Sequence, residues 1–134
     1  MESRTGDCIM TRLEHVNVTV ADPDASADML CRVFGWRRRW QGVGMTTGRT
    51  VHVGGDDSYL ALFSYGDPVA TAPETYRTRG GLNHIAVVVD DFDATGARVR
   101  AAGYVPGETH DYEPGRRFYF REENGIEIEV VSYT

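Results

Sequence analysis

Leu13 to Ala25 (LEHVNVTVADPDA) and Leu82 to Ala94 (LNHIAVVVDDFDA) lie 69 positions apart and agree at seven of thirteen residues: Leu, His, Val, Val, Asp, Asp and Ala. Self-similarity at a fixed spacing marks a duplicated structural unit. Within the first copy Val16, Val18 and Val20 alternate with His15, Asn17 and Thr19, the period of two that gives a strand one apolar and one polar face. Asp22 followed by Pro23 is a helix N-cap with proline at the first helical position. Met29, Leu30, Val33 and Phe34 then recur at helical spacing until Gly35. In the second copy Asp91 is the cap, Phe92, Val99 and Ala102 point inward, and Gly103 is the stop.

After a one-residue slip the similarity resumes at a spacing of 68, laying Tyr59 to Tyr65 (YLALFSY) on Glu127 to Tyr133 (EIEVVSY). Three short strands are expected after each helix, at 37–43, 48–54 and 58–65, then at 105–110, 116–121 and 126–132. The chain is therefore expected to be α+β: two βαβββ modules, 13–65 and 82–134, in a pseudo-twofold repeat joined by a Gly/Pro/Thr-rich linker at 66–81. A four-stranded sheet with one covering helix leaves its other face open, and two such faces form a cup-shaped mixed sheet. The side chains expected to line it are His15, Asn17, Thr19, His84, Ala86, Glu127, Glu129 and Val131.

The chain of 134 residues is expected to hold a single domain, 13–134, with 1–12 as a flexible leader. All 14 basic residues are arginine, against 20 acidic ones, so no lysine is available as Schiff base, phosphate ligand or general base. A net charge of −6 without a basic tail matches neither nucleic acid nor an anionic membrane surface. Cys8 and Cys31 form no CxxC pair, and no apolar run approaches a membrane span, so a cytoplasmic protein is expected.

Inward histidines and carboxylates need a partner, because burying an unpaired charge is costly. A divalent metal is one. His15 and His84 occupy equivalent points of two related strands, and Glu129 lies on the last strand, with Glu127 the competing carboxylate two residues away. Two histidines and one carboxylate on one face of an octahedron leave three positions open, an arrangement suited to Fe(II), favoured here, and to Mn(II), with Zn(II) or Ni(II) further candidates. The repeat partner of Glu129 is Ala61, so a fourth, symmetric ligand is missing.

Leu13-Glu14-His15-Val16, Gly81-Leu82-Asn83-His84-Ile85-Ala86 and the run from Tyr119 to Glu129 make the chain resemble the vicinal oxygen chelate superfamily from about Leu13 to Tyr133. That superfamily holds glyoxalases, extradiol dioxygenases, epimerases, fosfomycin-modifying thiol transferases and bleomycin-resistance proteins. The resemblance favours Glu129 over Glu127 by its spacing from Gly125. Ala61 weakens a glyoxalase I assignment, whereas His110, Tyr119 and Glu129 stand at spacings similar to the extradiol signature. The resemblance thus implies ring cleavage of a catechol-like diol, with His110 handling a proton at bound oxygen and Tyr119 hydrogen-bonding the substrate. The alternatives it leaves open are a glyoxalase-like lyase or isomerase, a fosfomycin-type thiol transferase, and a metal-independent binding protein of the bleomycin-resistance type. It also implies a homodimer acting on a small molecule, with the cup closed within one chain or shared between two.

Two further features stay outside this scheme. His52 has no match in the repeat. The run Trp36-Arg37-Arg38-Arg39-Trp40 is either a strand edge with outward charges or a grip for an anionic group between aromatic plates.

Overall fold

The computed structural model describes residues 9–43, 48–66 and 70–134, so most of the expected leader, Met1–Cys8, lies outside it. The first module runs β1 (His15–Thr19), α1 (Pro23–Phe34), β2 (Arg37–Gly42), β3 (Arg49–Gly54) and β4 (Tyr59–Ser64). The second runs β5 (Ile85–Val88), α2 (Phe92–Ala101), β6 (His110–Tyr112), β7 (Gly115–Arg121) and β8 (Glu127–Ser132). Both sheets have the same order, β1-β4-β3-β2 and β5-β8-β7-β6, with the first pair in each parallel and the others antiparallel. The α+β architecture of two βαβββ modules is as the repeat predicts.

The caps explain where the helices begin. Asp22 and Asp91 sit in extended backbone and accept from the amides of Ala25 at 3.2 Å and Ala94 at 3.0 Å, satisfying donors that a first helical turn leaves orphaned. Gly35 closes α1 in the left-handed region at φ 70°, its amide bonded to the Cys31 carbonyl. One strand departs from expectation: β6 occupies His110–Tyr112 rather than 105–110. Pro106 has no N–H for a ladder, and the Gly107 amide instead donates to the Tyr119 carbonyl at 2.8 Å.

Each helix covers one face of its own sheet. Ala27, Leu30 and Val33 pack over Val51, Val53, Leu60 and Leu62, while Phe92 and Val99 pack over Phe118, Phe120, Ile128 and Val130, all in one continuous core. By strand alternation the opposite faces carry the polar set of the sequence reading.

The modules meet through their helices. α1 touches α2, and Arg98 Nε donates to the Val33 carbonyl at 2.8 Å. The β7–β8 turn latches onto the start of α1. The Asp22 amide donates to Asn124 Oδ1 at 3.1 Å, Asn124 Nδ2 returns a bond to the Asp22 carbonyl at 2.8 Å, and the Ser26 hydroxyl donates to the buried Glu122 carboxylate. Glu122 also accepts from the amides of Asn124 at 2.8 Å and Ile126 at 3.0 Å. No strand of one sheet contacts a strand of the other among the described residues. Within one chain the sheets are joined through α1, α2 and the β7–β8 turn, and Asn17 and Thr19 of β1 share a cavity with the linker and Glu127 of β8.

Candidate metal centre

The open face of the second sheet brings together His84, Glu129, Arg117 and Tyr119. Tyr119 on β7 is the cross-strand neighbour of Glu129 on β8, and Ala86 on β5 flanks it on the other side. Glu129 is only 5% exposed, so its charge requires compensation. Two groups supply it: His84 Nε2 lies 2.9 Å from Oε1, and Arg117 Nη1 donates to Oε2 at 2.9 Å.

The 2.9 Å contact between His84 Nε2 and Glu129 Oε1 is a direct hydrogen bond, and two donors bound cis to one ion at about 2.1 Å stand at a similar separation, about 3 Å. His84 Nδ1 lies 2.6 Å from Asn83 Oδ1, which orients the ring with Nε2 toward Glu129. In the first module His15 Nδ1 lies 2.8 Å from Glu14 Oε1, leaving Nε2 as the free donor atom. The same device in both repeats, a polar residue immediately before the histidine fixing its Nδ1, is the outer support that metal-binding histidines use. Arg117 holds the second oxygen of Glu129, leaving a single oxygen for an ion.

Tyr119 stands edge-on to His84, with ring centroids 5.5 Å apart. Burial pushes its phenol upward, and the negative charge and hydrogen bond of Glu129 add to that, keeping it protonated at neutral pH. Glu127, the competing carboxylate, is taken by the linker: Tyr76 donates to it at 2.5 Å, which pushes the Tyr76 phenol to about 12. His110 sits on the exposed outer strand β6 opposite Arg117, whose own partner on β8 is Val131, so His110 lies two strands across and two residues along from Glu129, roughly 12 Å away.

His15 is on the other sheet. No cluster of three or more His, Cys, Asp or Glu side chains able to hold an ion exists among the described residues of one chain. The structure thus joins His84, Glu129 and Tyr119, and leaves His15 and His110 apart from them.

Tyr119 was named from the sequence, whereas the place of His52 and of Arg117 on the open faces was not. His52 and Tyr119 are structural equivalents, since His52 is the cross-strand neighbour of Ala61 as Tyr119 is of Glu129. Their spacing is 67, a further slip, and the residue types differ, so no self-comparison finds them. Arg117 lies in an expected strand, but nothing in its sequence position marks it as the partner of Glu129. Glu14 and Asn83 were visible as polar residues at equivalent repeat positions.

The family model of the Glyoxalase/Bleomycin resistance protein/Dioxygenase superfamily matches residues 12–130. The chain belongs to that superfamily. Among solved structures with this superfamily fold, a glyoxylase/bleomycin resistance protein/dioxygenase domain from Frankia sp. EAN1pec is 22% identical over 94% of each chain, with a TM-score of 0.79. The antibiotic-binding protein TnmS3 from Streptomyces sp. CB03234 is 21% identical over 95% of this chain and 99% of its own, at 0.74. The fosfomycin resistance protein FosX from Listeria monocytogenes, in complex with Mn(II) and sulfate, is 17% identical over 94% and 95%, at 0.71. No match was found among curated proteins. The structural neighbours thus include a protein solved with Mn(II) and an antibiotic-binding protein, and no helix among the described residues is long and apolar enough to cross a membrane.

Proposed function

We propose that this superfamily member is a divalent-metal-dependent enzyme acting on a small molecule with two adjacent oxygens, and that its site is shared by two copies of the chain. The carrying observation is the ligand-spaced pair His84–Glu129, 2.9 Å apart, with His15 prepared in the same way on a sheet that does not reach it. A second copy placing its first sheet over this second sheet supplies His15 as the third donor. Unpaired edges of β1 and β5 give a physical motive for that pairing. Fe(II) and Mn(II) suit the donor set, and FosX with Mn(II) supports the latter.

The ion supplies Lewis-acid polarisation of the substrate oxygens. Tyr119, protonated and beside His84, donates a hydrogen bond to an oxygen as negative charge develops on it. Arg117 keeps Glu129 in one orientation and excludes the second carboxylate oxygen. These groups are sufficient for addition to, or isomerisation of, a polarised substrate, as in a lyase or a fosfomycin-type thiol transferase, and that is the reaction type the arrangement supports best. Extradiol ring cleavage is the second reading. It is favoured by the His110, Tyr119 and Glu129 spacing, and it requires His110 to approach from β6 or from the second copy.

Turnover of an epoxide with a thiol and of a catechol panel, measured with an oxygen electrode after Mn(II) or Fe(II) loading, separates the two. Thiol consumption without oxygen uptake supports the first, oxygen uptake with the catechols the second, and failure to bind either ion overturns both.

A further inference from the structure

Along the open face of β7, Arg117, Tyr119 and Arg121 follow one another at two-residue steps. Arg117 is committed to Glu129, and Tyr119 is the phenol beside His84. Arg121 has no such partner. Glu127 stands directly across from it on β8, but that carboxylate accepts from the Tyr76 hydroxyl at 2.5 Å. Arg121 makes no ion pair among the described residues, and its one hydrogen bond runs from Nη1 to the Gly125 carbonyl at 3.1 Å. Most of the guanidinium's N–H donors thus stay unused on an exposed side chain.

Arg121 lines an opening. β6 pairs only with Gly115–Arg117, so beyond Arg117 the outer edge of β7 is bordered by a loop, tied on by the Gly107 amide to the Tyr119 carbonyl at 2.8 Å. Between this loop and the strand lies an open cleft of about 600 Å³, with Gly103, Val105 and Gly107 on one side and Tyr119, Arg121 and Glu127 on the other. The two glycines put no side chain into it, and a Cβ at Gly107 would stand 3.1 Å from the Tyr119 carbonyl oxygen. Val105 is 84% exposed, an apolar wall without a covering partner among the described residues. A larger cavity beneath the linker, about 970 Å³, also reaches Arg121, and Arg121 is the one cationic side chain lining either of the two. A lone guanidinium with open donors beside apolar surface is suited to an oxyanion.

Its position separates it from the ion. Arg121 lies one strand across and two residues along from Glu129, about 8 Å between backbone positions. The bond to the Gly125 carbonyl holds the guanidinium toward the β7–β8 turn, away from Glu129. A group on Arg121 is therefore distinct from oxygens beside His84 and Glu129, and Tyr119 stands between the two.

We infer that the ligand of this cup carries, besides its adjacent oxygens, a carboxylate or other oxyanion set off from them by a short apolar spacer, and that Arg121 holds that group. Arg121 is thus a specificity-determining residue: it selects anionic substrates over neutral ones of the same shape. This deepens the proposed function and rests on it for the placing of the adjacent oxygens. Calorimetric titration of the Mn(II)-loaded and of the EDTA-treated protein at neutral pH, with protocatechuate and its neutral carboxamide, tests it. Both probes carry the same ring and adjacent oxygens, and only the acid carries the charge. The acid is expected to bind wild type about tenfold or more tighter than the amide, the scale of a hydrogen bond to a charged group, with Mn(II) tightening both. Arg121→Gln is expected to abolish the preference by weakening the acid alone, and Arg121→Glu to reverse it, each with an unchanged circular dichroism spectrum. Equal affinities in wild type, failure of both probes to bind, or a preference for the acid that survives in either variant overturns the inference. A preference that depends on Arg121 while Mn(II) tightens neither probe overturns only the metal reading.

Discussion

Arg117 and His84 divide the carboxylate of Glu129 between them, Arg117 taking Oε2 and His84 facing Oε1, each at 2.9 Å. The side chains of Arg117 and Glu129 are 14% and 7% exposed, so this is a buried pair, and removing one partner leaves an uncompensated charge. In Arg117→Met the metal-free protein is expected to lose about 3 kcal/mol of stability, the usual scale for breaking such a pair. Because an ion replaces the lost positive charge, Mn(II) is expected to restore more stability to the variant than it adds to wild type. Urea unfolding with and without Mn(II) reads both, and a variant as stable as wild type without metal contradicts the role given to Arg117.

In the proposed site Tyr119 acts on substrate and does not hold the ion. Tyr119→Phe is therefore expected to keep Mn(II) stoichiometry and affinity while kcat falls roughly 10²-fold, the scale of a positioned proton donor. Loss of metal in this variant places the phenol in the ion's support instead.

Glu122 makes stability depend on pH near the module junction. Burial pushes its carboxyl above 4.5, against the Ser26, Ile126 and Asn124 hydrogen bonds that pull it down. A carboxyl with a raised folded pKa binds more protons folded than unfolded, so stability falls as pH rises from 4.5 through the folded value and stays lower above it. Glu122→Gln is expected to flatten that fall in unfolding midpoints taken from pH 4 to 8. An unchanged slope assigns the dependence to other groups.

Asp24 acts with the opposite sign. Hydrogen bonds first from Arg49 and then from Arg38 hold its carboxyl near 2, below the ordinary 3.8. The stability it contributes is present above 3.8 and is lost as pH falls through about 2. The pair is part-exposed, so the effect is modest and screened by salt. Asp24→Asn is expected to lower the melting temperature at pH 7 by a few degrees and to leave it unchanged near pH 2.

Much of this was legible in the residues. Identical amino acids recur where geometry allows little choice: a capping aspartate, a strand valine, a histidine aimed out of the sheet. That is why both helix starts and both repeat histidines could be placed from Leu13–Ala25 and Leu82–Ala94 alone. Features carried by register slips were hidden. His52 and Tyr119 do the same structural job with different side chains, and the bulge at Arg39 looks in sequence like one more residue in an arginine run. β6 was placed too early because Val105 suggests a strand while Pro106 and Gly107 prevent it. The pairing of α1 with α2, which separates His15 from His84 within a chain, depends on long-range contacts such as Arg98 to Val33, which no local periodicity encodes.

The proposed site draws His15 from one chain and His84 with Glu129 from another, and mixing His15→Ala with His84→Ala chains after unfolding and joint refolding tests this. Neither variant alone is expected to bind Mn(II) stoichiometrically, whereas a mixed dimer contains one site with all three donors intact and is expected to hold one ion. Metal analysis of the isolated mixed dimer showing one Mn(II) per two chains is the predicted result. A mixed dimer with no metal, or a wild-type monomer that binds Mn(II) stoichiometrically, rules out a site shared between two chains.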